Sequence, residues 1–175
     1  MLTMWTVGHS NRSLEDFLQI LIGAEIELIV DVRRFPASRK HPHFGQDQLP
    51  ESLKASRIDY LHLPELGGRR PVQKDSPNTA WRNASFQGYA DHMASSEFQT
   101  GLKRLLEAAR ASRIAFMCSE AVWWRCHRSL IADRLKADGH TVLHLMAPGK
   151  QQEHPYTAAA TLVNGELSYA AQPQD

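Results

Sequence analysis

Apolar residues along the chain fall into two kinds of pattern. Met4 to Gly8, Leu28 to Val32, Ile114 to Cys118 and Thr141 to Met146 are short runs, too brief for helices and with the look of buried strands. Ile58 to Leu63 alternates enough to be a further strand. Between them the spacing turns helical. Leu14, Phe17, Leu18, Leu21 and Ile22 make one face, opened by Ser13 with Asp16 three residues on and closed by Gly23. A short helix is predicted over Gln46 to Ser56 with Pro50 near its start, and another over Phe86 to Met93. Phe98, Leu102, Leu105, Leu106 and Ala109 mark the longest helix, and Ser129 to Asp138 the last, with Gly139 placed for a left-handed cap. In the tail, Asn164-Gly165 between apolar pairs predicts a hairpin.

Strands alternating with helices predict a single α/β domain. Its sheet should be mostly parallel, of about five strands, with helices on both faces, right-handed crossovers and a small C-terminal hairpin. Two stretches escape both patterns. Arg33 to Gly45 is a loop rich in Pro, Arg, Lys and His, and Gly67 to Ser85 is long, polar and irregular, read as a lid or mobile loop.

Composition narrows this picture modestly. A chain of 175 residues suits one core. With 20 Lys and Arg against 19 Asp and Glu, attraction for nucleic acid or an anionic surface has to come from a local patch. No apolar run is long enough to span a bilayer, and the first residues lack the basic and apolar regions of a signal peptide, so a soluble, cytoplasmic protein with no membrane partner is expected. The two cysteines, Cys118 and Cys126, lie close together and are not scattered as in a disulfide framework, which points to a reducing compartment.

Candidate chemistry concentrates where the fourth strand hands over to the last helix. Between Arg113 and Arg128 lie Cys118, Glu120, Arg125, Cys126, His127 and Arg128. In a parallel sheet, the other strands end beside them at His9 and Ser10 and at Asp31 and Arg33, and ligands bind outside that edge. A thiol at a helix start next to cations is favoured as thiolate, which fits Cys126. Free cysteines also pack as small apolar residues, and Cys118 suits the buried end of its strand. Loops that wrap a tetrahedral anion place a cysteine after a strand and an arginine at the helix start. Here Cys118 to Arg125 is one residue longer than the phosphatase spacing, and Trp123 and Trp124 stand where small residues are needed. Zinc on Cys118, Cys126, His127 and His9 is the weaker option, because no close Cys pair exists and arginines crowd the site. Walker and dinucleotide fingerprints are absent.

VGHSNRS, VDVRRFPASR, YLHLPELGGR, FQGYADHM, MCSEAVWWRCHRSLIADRL, HLM and the tail HPYTAAATLVNGELSY occur in that order, and together they resemble the domain of unknown function 488 family. The resemblance implies a cytosolic α/β domain with no established activity. It places the site on Cys118, Glu120, Cys126, His127 and Arg128, with His9, Ser10, Asp31 and Arg33 beside them.

The expected function is a cysteine-dependent hydrolase or transferase acting on a small anionic or phosphate-bearing ligand. Cys126, His127, Glu120 and Cys118 would carry the chemistry, and Arg128, Arg125, Arg33, His9, Ser10 and Asp31 would bind ligand. No cofactor or metal is expected. A noncatalytic nucleotide or nucleic-acid binding module is the rival, because guanidinium forks match phosphate and Trp81, Trp123 and Trp124 could stack bases.

Overall fold

A computed structural model describes residues 1–173. The chain enters through β1 (Thr3–Gly8), crosses by α1 (Leu14–Gly23) to β2 (Leu28–Asp31), and continues through α2 (Leu49–Lys54) to β3 (Asp59–His62). Two helices, α3 (Ala84–His92) and α4 (Ser96–Ala111), bring it back to β4 (Ile114–Cys118). From there α5 (Arg128–Ala137) leads to β5 (Thr141–Ala147), β6 (Lys150–Glu153) and a hairpin of β7 (Thr161–Val163) and β8 (Glu166–Ser168). The main sheet has the order β3-β2-β4-β1-β5-β6, parallel except for β6.

Alternation along the central strands feeds two cores. Met4, Val30, Ile114, Phe116 and Cys118 face α3, α4 and α5, where Phe98, Leu102, Leu105, Leu130 and Ile131 cover them. Trp5, Val7, Ile29, Ala115 and Met117 face α1 and α2, meeting Phe17, Ile20, Leu21 and Leu53. Each such aliphatic or aromatic side chain stabilises the fold by about 1.5 to 3 kcal/mol when fully buried. Ser13 caps α1 by accepting the Asp16 amide at 3.0 Å, as its sequence position predicts.

Two features differ from the sequence expectation. The sheet gains a sixth strand, since Pro148-Gly149, with Gly149 at φ 71°, turns the chain back along β5. Residues of β6 are KQQE and all exposed, so no hydrophobic period marked them. The segment after Gly67 is also no unattached lid. Asp91 on α3 accepts the Gln73 amide at 2.8 Å, the Ser76 hydroxyl at 2.5 Å and the Asn78 side-chain amide at 2.7 Å. Arg70 fastens its start by donating to the Gly67 and Pro64 carbonyls, each at 3.0 Å. The tail hairpin turns on Asn164 and Gly165 at φ 53° and 80°, the two positive values that its turn type requires.

Candidate functional site

The chain runs outward from β1 to β2 and β3, returns to insert β4 between β2 and β1, and then continues to β5 beyond β1. That reversal leaves a crevice past the carboxyl ends of β1, β2 and β4. A cavity of about 790 Å³ opens there. Its lining brings together His9, Ser10, Arg33, Cys118, Glu120, Arg125, Cys126 and His127 from the sequence-predicted set. Arg34, Arg39, Lys40 and Arg69 add positive charge, and Glu120 is the one acid among the lining residues. The basic loop after β2 thus forms a wall of the cavity.

Against the cavity, Cys118 and Cys126, which the sequence reads as separate thiols, meet sulfur to sulfur. Both are nearly buried, at 1% and 4% exposure. Beside them His127 donates its Nε2 hydrogen to the Val32 carbonyl at 2.8 Å, a partner that can only accept. In the neutral ring this leaves Nδ1 bare, and Nδ1 lies 3.5 Å from Cys126 Sγ. Burial lowers the His127 pKa from 6.5 to about 4, against the pull of Val32 and aided by Arg128, so the ring is neutral at pH 7. Gly68 makes room for this ring, since a Cβ there would sit 3.0 Å from Nδ1.

Arg128 is not where an anion clamp would be. It has no exposed surface and does not line the cavity. Its Nη1 donates to Cys118 Sγ at 2.7 Å and to the Glu120 carbonyl at 2.6 Å, and Nη2 donates to the Ala121 carbonyl at 3.1 Å. Nε has no partner. Burial lowers its pKa to about 9, with Glu120 opposing and Arg12 adding to the fall. The reason for this inward turn is Gly8. A Cβ there would be 1.6 Å from the Glu120 carbonyl oxygen and 2.7 Å from Nη1, so glycine lets the β4–α5 turn settle onto β1 and the guanidinium reach beneath it. Among the described residues the Glu120 carboxylate makes no ion pair, and it is exposed.

Asp31 likewise lies behind the cavity. It is fully buried and holds Arg33 through both oxygens, at 2.9 and 2.8 Å, and accepts the Tyr60 hydroxyl as well. Arg33 Nη1 approaches the bare Nε2 of His9 at 3.3 Å, while His9 Nδ1 donates to the Ser10 carbonyl at 2.9 Å. Burial lowers the His9 pKa to about 4, the Ser10 carbonyl opposing and Arg33 assisting. Asp31 therefore aims a guanidinium at the cavity and is not itself among the lining residues. Sequence reasoning missed Tyr60 and also the cavity-lining Tyr89, Phe86 and Phe35, whose proximity depends on strand order and on the tethered segment.

The sequence profile of the family described as Domain of unknown function DUF488 matches residues 13–135. The chain belongs to this family. The matched span holds both cysteines, the basic loop and the opening of α5, and so covers most of the DUF488 crevice. No curated protein matches the chain, and no solved structure does. Among the described residues no group of three or more His, Cys, Asp or Glu side chains could hold a metal ion, and no helix is long and apolar enough to cross a membrane.

Proposed function

We propose that this protein is a cysteine-dependent enzyme acting on a small anionic, phosphate-bearing substrate in the β1–β2–β4 crevice. One observation carries the reading: the two sulfurs lie at the floor of a cavity lined by Arg33, Arg34, Arg39, Lys40, Arg69 and Arg125 with Glu120 as the single opposing acid. Guanidinium forks pair with phosphate or carboxylate bidentately. Cys126 is the nucleophile or redox thiol, because His127 Nδ1 lies 3.5 Å from its sulfur and is free to take its proton. Glu120 reaches the cavity as a second proton carrier. Arg33 and Arg125 hold the anion, and Ser10 and His9 line its path.

The test is protection. With the protein reduced, inorganic phosphate is expected to slow iodoacetamide modification of Cys126 in a saturable way, and Arg125→Ala to weaken that effect about tenfold, the loss of one charge-assisted hydrogen bond. Unchanged Cys126 modification at saturating phosphate would contradict the reading.

A noncatalytic nucleotide or nucleic-acid binding role has one observation in its favour. Phe35, at 61% exposure, lines the cavity beneath the Arg34 guanidinium, and the exposed Trp124 precedes cavity-lining Arg125 in the chain, so aromatic surface accompanies the cationic residues. In that case binding of an oligonucleotide would fall steeply with salt and would be indifferent to Cys126→Ser.

A further inference from the structure

Arg128 has no exposed surface, and the nearest groups able to balance its charge are two carbonyls and a sulfur. A buried cation without a paired counter-charge is costly, and among the described residues its Nε has no partner. Among the described residues no carboxylate pairs with it: Asp31 is taken by Arg33, and Glu120, whose charge favours the guanidinium, is exposed and forms no ion pair. The remaining candidate is the sulfur of Cys118, 2.7 Å from Nη1, which as a thiolate would supply the missing charge.

We infer that Cys118 and Cys126 are a dithiol–disulfide couple for small anionic disulfides, with Cys118 held as a thiolate by Arg128 to act as the resolving sulfur. This rests on the assignment of Cys126 as the attacking thiol and adds a reaction to it. Cys126, the more exposed of the two, gives its proton to His127 Nδ1 and attacks one sulfur of the substrate. A protein–substrate S–S bond forms, and the first substrate thiolate leaves, taking the proton from His127. The Cys118 thiolate then attacks Cys126 Sγ, the Cys118–Cys126 bond forms, and the second substrate thiolate departs. The protein dithiol loses two electrons, and the substrate disulfide gains them. Each sulfur of the couple already touches the other in the structure.

The groups facing Cys118 decide its protonation. Among the described residues Arg128 of α5 is the one cation in contact with it, and His127, just before that helix, is neutral. Beyond β1, His9 is neutral and Arg12 is turned to the Gly8 and Met146 carbonyls. At the end of β2, Asp31 and Arg33 compensate each other. Arg128 is thus a positioning residue that acts through Cys118. Oxidation removes its partner's charge, which favours the dithiol and makes the oxidised protein the better oxidant.

The experiment uses the reduced full chain and the anionic disulfide 5,5′-dithiobis(2-nitrobenzoate). Wild type is expected to release two equivalents of thionitrobenzoate and to end without adduct, lighter by two hydrogens. Cys118→Ser should release one and keep the adduct on Cys126. A stable adduct on wild type, or second release from Cys118→Ser, would overturn the couple. The thiolate is read independently by its ultraviolet absorbance in the reduced protein. Wild type should show one thiolate more than Cys118→Ser at neutral pH, with a midpoint below the ordinary thiol value of about 8.5. No difference between the two would overturn the role of Arg128 without requiring any Arg128 variant to fold. Phosphate protection of Cys126 is a separate readout. If the couple fails while phosphate still protects, only this inference falls. If the couple closes without phosphate protection, the anion-binding reading falls and the couple stands.

Discussion

Arg128 and Asp133 stand on the same helix, α5, and both are fully buried, yet their surroundings differ in kind. Asp133 accepts from His154 Nε2 at 2.8 Å, from the Thr157 amide and hydroxyl at 3.0 and 2.6 Å, and from the Tyr169 hydroxyl at 2.7 Å. His154 passes the chain to His144 at 2.8 Å, and His144 to the Thr6 hydroxyl at 2.5 Å. Trp123 stacks on His144 at 4.7 Å between ring centroids and closes the network from above. Every polar end has a partner within the protein. Among the described residues the Arg128 nitrogens donate to carbonyls and a sulfur, and one nitrogen is left over. A closed polar network fixes structure, while an open one next to a cavity is a place where a reacting group or ligand completes the set.

The largest effect that could break this contrast is on Asp133. Asp133→Ala strands His154, Thr157 and Tyr169 at once, and unfolding by urea is expected to show a loss of about 3 to 5 kcal/mol. A loss below about 1 kcal/mol would mean that the network is not structural. Gly8→Ala comes next. Its Cβ would meet the Glu120 carbonyl and Arg128, so stability should fall by about 1 to 3 kcal/mol, and Cys118 should lose its arginine in the same step. Retention of the extra thiolate absorbance in that variant would separate the glycine from the arginine.

Acid should act on both regions with the same sign. Burial holds His9 and His127 at about 4 and His144 at about 2, against an ordinary 6.5. The unfolded chain therefore binds protons first, and stability present above about pH 6.5 is lost as pH falls, down to about 4 for the first two and lower for His144. His127→Gln, which keeps a donor for Val32, should flatten the urea-measured slope between pH 4 and 6.5 by roughly one proton. An unaltered slope would mean that His127 is not buried neutral. The smallest change is Arg125→Ala. This exposed side chain should leave stability within about 0.5 kcal/mol while weakening phosphate protection, a split that the Asp133 network cannot produce.

Much of the fold was legible because local chemistry and tertiary need coincide. Ser13 with Asp16, Asn164-Gly165 and Gly139 announce a cap, a turn and a helix stop, and each occupies that place. The unseen strand β6 faces no core, so its composition carries no period. The site was legible in part for a similar reason. Strand ends in a parallel sheet share an edge, which is enough to gather His9, Arg33, Cys118 and Cys126. Which arginine faces the cavity and which faces inward is set by Gly8, more than one hundred positions away in sequence. Nothing local to Arg128 records that contact. The Asp133 network has the same character, because it joins β1, α5, β5 and the tail, and only the folded topology brings these together.

The most direct test of the cationic crevice is diffraction from crystals of the reduced protein soaked in tungstate, a strongly scattering phosphate analogue. The account predicts an anion between Arg33 and Arg125, within hydrogen-bond reach of a guanidinium and next to Cys126. An unoccupied crevice in crystals that bind tungstate elsewhere would contradict it.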